Sequence, residues 1–87
     1  MNTSPTGTVT RASDVTTTDE ELIVHLVEGR TLIVPLAWYP RLLNATPEQR
    51  RDYRLLEDGE YIHWPQVDED LTVAGLLRGD RAPGAKQ

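Results

Sequence analysis

The chain predicts a small α+β domain, with an antiparallel sheet built from two hairpins and two or three short helices. Two glycine-bearing turns, Glu28-Gly29-Arg30 and Glu57-Asp58-Gly59-Glu60, each separate a pair of short apolar, β-prone runs. Between the two pairs the apolar spacing changes to a helical period, and Thr46-Pro47-Glu48-Gln49 supplies a helix start. At 87 residues the chain is long enough for one domain and too short for two. The domain is expected over residues 8–80, with 1–7 and 81–87 as flexible tails, because Thr, Ser, Gly, Pro, Ala and Lys there offer almost nothing to bury.

Thr8 to Val15 is rich in Thr and Val and reads as a first strand, though its alternation is poor. In Glu21 to Val27, Leu22, Val24 and Leu26 share one face, while Ile23, His25 and Val27 share the other. After the Gly29 turn, Thr31-Leu32-Ile33-Val34 continues as a β-branched strand. Pro35 ends it, having no N–H to give the ladder. Leu36, Trp38, Tyr39, Leu42 and Leu43 then fit a short helix from about Ala37 to Asn44, with Pro40 confined to its first turn. A second helix over 47–52 has Thr46 as cap, Pro47 in the first position and Gln49 to complete a capping box. Tyr53 to Leu56 and Tyr61 to Trp64 flank the Asp-Gly turn as a second hairpin, and Pro65 stops it. Thr72 can cap a terminal helix, Val73 to Leu77, closed by Gly79.

Composition removes several classes of function. There is no cysteine, so disulfides, thiolate nucleophiles and sulfur-ligated metals are excluded. The same absence in so small a domain favours the cytoplasm. No apolar run approaches the roughly 20 residues that cross a bilayer, and no membrane association is expected. Fourteen acidic against nine basic residues leave a formal net charge of −5, which works against generic attraction to phosphate backbones.

Catalysis by a nucleophile needs an activated hydroxyl or thiol with an oriented base. The serines are Ser4 and Ser13, both in the N-terminal stretch, and the six glycines form no phosphate-binding loop. No enzyme is expected, and no cofactor. His63 with Asp68, Glu69 and Asp70 has donor chemistry for a divalent ion, but His25 lies in the other hairpin. The plainer reading has one of these Asp residues capping the last helix and the others in solvent. Arg41, Arg50, Arg51 and Arg54 form a basic cluster beside Tyr39 and Tyr53, a mixture suited to protein interfaces and to nucleic acid, or to a solvated helix face balanced by Glu48 and Asp52. Trp38 and Trp64 belong in the core of so small a domain; exposed, they would mark a docking surface.

The stretch from Val34 through Trp38-Tyr39-Pro40-Arg41 and Thr46-Pro47-Glu48-Gln49 to Arg50 closely resembles the middle of the bacterial family called domain of unknown function 2442. Ile62-His63-Trp64-Pro65-Gln66-Val67-Asp68-Glu69-Asp70-Leu71 resembles that family's second signature. Gly75-Leu76-Leu77 with Gly79 is similar to its ending, and Glu28-Gly29-Arg30 to its hairpin turn. The resemblance spans about residues 9–80. It implies a compact α+β unit with a small antiparallel sheet, and it carries no catalytic residues. Some relatives have a helix-turn-helix domain after this unit. Others are encoded beside a second small protein, in the manner of a toxin–antitoxin pair. A short tail after Gly79 makes the fused, DNA-binding form the less expected one here.

The expectation is therefore a non-catalytic protein-interaction module, the antitoxin-like member of a two-gene operon. Its partner is expected to be another protein, with a symmetric homodimer through an unpaired strand edge as a further arrangement. The alternative is an accessory nucleic-acid-binding transcriptional regulator. Trp38, Tyr39, Arg41, Arg50 and Arg51 are the candidate contact residues, with His63 and Trp64 as a second group.

Overall fold

The structure, a computed structural model, describes residues 10–82. The expected mobile segment 1–7 and residues 83–87 of the second tail lie outside the described residues. The first sheet is antiparallel with order β1-β2-β3, made of β1 (Ala12–Thr17), β2 (Glu21–Leu26) and β3 (Thr31–Pro35). A 3-10 turn, Leu36–Trp38, leads into α1 (Pro40–Leu43), and α2 (Pro47–Arg51) follows. The second antiparallel sheet has order β4-β5-β6, from β4 (Arg54–Leu56), β5 (Tyr61–Trp64) and β6 (Glu69–Thr72). Helix α3 (Val73–Arg78) comes last.

The α+β class, both hairpins and a first strand are as expected, but the second hairpin gains an unexpected third strand, β6, and the two remain separate sheets. In the first sheet, Leu22, Val24 and Leu26 are buried on one face of β2, as their alternation requires. The poor alternation of the first strand has a physical cause. Ala12 pairs with Leu26 but Asp14 with His25, so a bulge at Ser13 resets the register. Ala12 and Val15, three apart, thereby both face the core.

One core joins the two sheets. Leu22, Val24, Leu26 and Val34 from the first meet Ile62 and Trp64 from the second, joined by Leu36, Tyr39 and Leu42 and by Val73 and Leu76 of α3. The helices are too short to persist alone and depend on caps and packing. Tyr39 caps α1 with Pro40 at its first position, one turn later than the sequence suggests. Helix α2 carries the complete capping box: Gln49 N–H donates to Thr46 Oγ1 at 3.1 Å and Thr46 N–H to Gln49 Oε1 at 2.9 Å. Thr72 caps α3 through Gly75 N–H, and Gly79, at φ 84°, ends it. No aspartate serves there.

Tyr53 stitches the sheets together. Its hydroxyl donates to Asp14 Oδ1 at 2.7 Å and accepts from Val15 N–H at 3.2 Å, so it satisfies an outward-facing donor of β1. The hydrogen bond from Tyr53, then that from the Val15 amide, holds the Asp14 carboxyl below its usual range.

Residues 81 and 82, expected to open a tail, are instead packed. Ala82 N–H donates to Trp38 carbonyl oxygen at 3.1 Å, and the Arg81 guanidinium lies 4.5 Å from the Trp38 ring centroid.

Candidate functional site

The seven candidate contact residues divide into two sets. Tyr39, Arg50 and Trp64 are 2%, 8% and 0% exposed, so none of them projects from the outer surface. Trp64 fills the core and donates its indole N–H to Arg50 carbonyl oxygen at 3.0 Å. Arg50 turns inward because α1 ends unsatisfied beside it: its guanidinium donates to Leu42 and Leu43 carbonyl oxygens at 2.9 and 2.8 Å. A planar fork can serve both carbonyls, and a lysine cannot. Arg50→Lys should therefore lose about 1–2 kcal/mol in urea denaturation, whereas exposed Arg51→Lys stays within about 0.5 kcal/mol. Arg51 lines a different concavity, with Asp14, Thr16, Tyr53 and its neighbour Arg50, apart from Arg41. Arg54 reaches Asp52 at 4.0 Å, so the basic cluster of the sequence is dispersed by the fold.

Of the rest, only Arg41 lines the concavity formed by α1, β6, α3 and residues 80–82; Trp38 adjoins it through Arg81 and Ala82, and His63 lies on the outer face of β5 against Asp70. The turn after Pro65 reverses the chain through Asp68, whose φ of 55° is tolerated by a short side chain that can bond locally. Strand β6 then pairs with β5, with Trp64 opposite Glu69 and His63 opposite Asp70. Directly opposed residues share a face. His63 and Asp70 therefore meet on the outside, where His63 Nδ1 lies 2.5 Å from Asp70 Oδ1, and Glu69 is carried inward beside Trp64. Arg41 donates to Asp68 carbonyl oxygen at 2.5 Å and fastens α1 to this turn.

Glu69 has a place that the sequence did not give it, as one of three acids read as capping or solvated. It lies between two adjoining clefts. One, of about 260 Å³, is lined by Tyr39, Leu71, Leu76, Asp80 and Arg81 among others, and the second by Pro40, Arg41 and Asp68, with Asp70 and Ala82 on both. Glu69 is 8% exposed, and among the described residues no donor reaches its carboxyl within hydrogen-bonding distance. Burial pushes that carboxyl above the ordinary carboxylate range; the Arg41 charge opposes the shift, and Asp70 and Asp68 add to it. Tyr39 donates its hydroxyl to Asp80 carbonyl oxygen at 2.9 Å, and its pKa is pushed up to about 12 by burial, with Asp80 and Glu69 contributing. The stability linked to Glu69 is present below its unfolded pKa and is lost as pH rises through the raised folded value. A signal was available: Val67, Glu69 and Leu71 alternate in the β period, but a run of three acids hid the strand.

Among the described residues, no group of three or more His, Cys, Asp or Glu is disposed to hold a metal ion, since His63 and Asp70 turn away from Glu69. Nor is any described helix long and apolar enough to cross a membrane.

Two linked three-stranded sheets around one core, with a partly acidic cleft at the second, define the class of unit. The model of the family described as protein of unknown function, DUF2442, matches residues 12–82, and the chain belongs to that family. A crystal structure of a protein of unknown function from Rhodospirillum rubrum is similar at a TM-score of 0.75 and 28% identity, over 90% of this chain and 96% of that one. The solution structure of an uncharacterized protein from Chromobacterium violaceum is similar in fold, with TM-score 0.71 and 24% identity over 85% of this chain and 70% of that one. No curated protein matches the sequence.

Proposed function

We propose that the protein is a non-catalytic protein-interaction module, acting as the antitoxin-like member of a two-protein operon. The observation that carries the reading is the pair of adjoining clefts at β6, where Arg41 and Arg81 stand around the buried Glu69 and Trp38 lies against Arg81 at their edge. An aromatic and an arginine at the edge of a recess are the residue types enriched where proteins meet. The described serine, Ser13, spends its hydroxyl on His25 carbonyl oxygen, which leaves it no oriented base. Pairing with a second small protein is what the family resemblance adds, and it names the kind of partner to look for.

The test is side-by-side affinity purification from the native host of the tagged protein and a Trp38→Ala, Arg41→Glu variant, with nuclease and a salt wash. One stoichiometric protein should survive with the parent and fall at least tenfold with the variant. Equal recovery from both would remove this face from the interaction. Nucleic acid recovered instead, and lost steeply as salt rises, would favour the regulator reading.

A further inference from the structure

We infer that the cleft over Glu69 receives one basic side chain, an arginine or lysine of the protein partner, with the Glu69 carboxylate as its counter-ion. This rests on the interaction reading and adds the chemistry of the contact.

Three observations converge. Glu69 sits on the inward face of β6, is more than nine-tenths buried and takes no hydrogen bond from any described residue. A buried acid without donors is costly, and a sequence with no use for it would place an apolar side chain beside Trp64 and Leu71. The nearby cations do not hydrogen-bond to it: Arg41 donates to Asp68 carbonyl oxygen and acts on Glu69 only through its charge, and the Arg81 guanidinium lies over the Trp38 ring. The walls then match the two parts of a basic side chain. Tyr39, Leu71 and Leu76 offer apolar surface to its methylene stem, and Asp80 stands beside the path of its charged head. The cleft of about 260 Å³ has room for one side chain, and the second, of about 480 Å³, adjoins it at Glu69. The raised carboxyl pKa agrees with a site in which the charge awaits an external partner.

The experiment titrates the isotope-labelled full chain with N-acetyl-arginine methylamide and, as control, N-acetyl-alanine methylamide, followed by amide NMR. The arginine probe should give saturable shifts at Tyr39, Glu69, Leu71 and Gly75, and the alanine probe none. Glu69→Gln, nearly isosteric, should weaken arginine binding about ten- to a hundredfold, the range for a hydrogen bond to a charged group. The same variant should melt a few degrees higher at neutral pH, since it removes an unpaired buried charge. No saturable shift at high millimolar probe, or equal affinity in Glu69→Gln, overturns the assignment. A lower melting temperature in Glu69→Gln also overturns it, because the chain itself would then be satisfying the carboxylate. If a captured partner binds parent and Glu69→Gln alike while the probe fails, the interaction reading stands and the cleft assignment falls. Probe binding without any captured partner sinks the interaction reading alone.

Discussion

Trp64→Ala should lower the unfolding free energy by about 4 kcal/mol, within the range for deleting a fully buried large aromatic. The total for a domain of 87 residues is about 4–13 kcal/mol, so the loss takes between about a third and the whole of the stability. Two losses add. The indole is fully buried in the centre of the core, where the second sheet meets α1 and α2. Its N–H also satisfies Arg50 carbonyl oxygen, and Arg50 in turn caps the end of α1, so the cavity opens beneath both helices. Urea denaturation followed by far-UV circular dichroism measures the loss. Trp38→Ala is the control: half-buried and lying under Arg81, it should cost about half as much or less. Comparable losses at the two tryptophans would contradict the placement of Trp64 at the centre of the packing.

Gly59→Ala should be nearly as damaging, at about 3 kcal/mol or more, because two independent penalties meet at this position. Gly59 has φ 100°, which side chains of L-residues rarely adopt and which costs about 1–2 kcal/mol. A Cβ there would also stand 2.3 Å from Ala12 carbonyl oxygen and 3.0 Å from Ala12 nitrogen. The obstacle is backbone of β1 and cannot swing aside, so the sheets must part where the second hairpin turn meets the first strand; overpacking of this kind adds about 1–3 kcal/mol. Gly29 separates the two penalties. Its φ is 112°, yet an added methyl would find nothing within 4 Å, so Gly29→Ala should lose only the conformational part, about 1–2 kcal/mol. Parallel denaturation of the two variants checks the difference. If Gly29→Ala proved the more damaging, close contact between turn and strand would not be what demands glycine at Gly59.

The conflict at Glu69 is of another kind. Sheet pairing, capping and core formation elsewhere in the chain agree with one another, as foldable sequences require. At Glu69 the strand period points an acid into the interior, and no described residue gives it a hydrogen bond. Local disagreement with an otherwise consistent fold is where binding sites are found, because a site must hold its groups ready for something outside the molecule.

Much of the fold is local in origin, and so it is visible in the residues themselves. The period of two in Leu22, Val24 and Leu26 sets the inward face of β2 before any partner strand is known. Thr46 and Gln49 close a capping box within one turn of chain, and Pro35 and Pro65 end strands through a missing N–H. The Asp58-Gly59 turn carries its own backbone demand, and both residues do adopt positive φ. The class, the two hairpins, the capped helices and the family are thus legible in the chain itself. The rest depends on what distant residues do when brought together. Whether an arginine is solvent-facing or structural is decided by the carbonyls the fold places beside it, and this separates Arg50 from its neighbour Arg51. Likewise Trp38 and Trp64 have the same side chain, but only Trp64 lies where two sheets close over it. Strand β6 and the cleft come from tertiary pairing alone: β5 recruits an acidic run by main-chain hydrogen bonds, which do not read side chains, and thereby carries Glu69 into the interior.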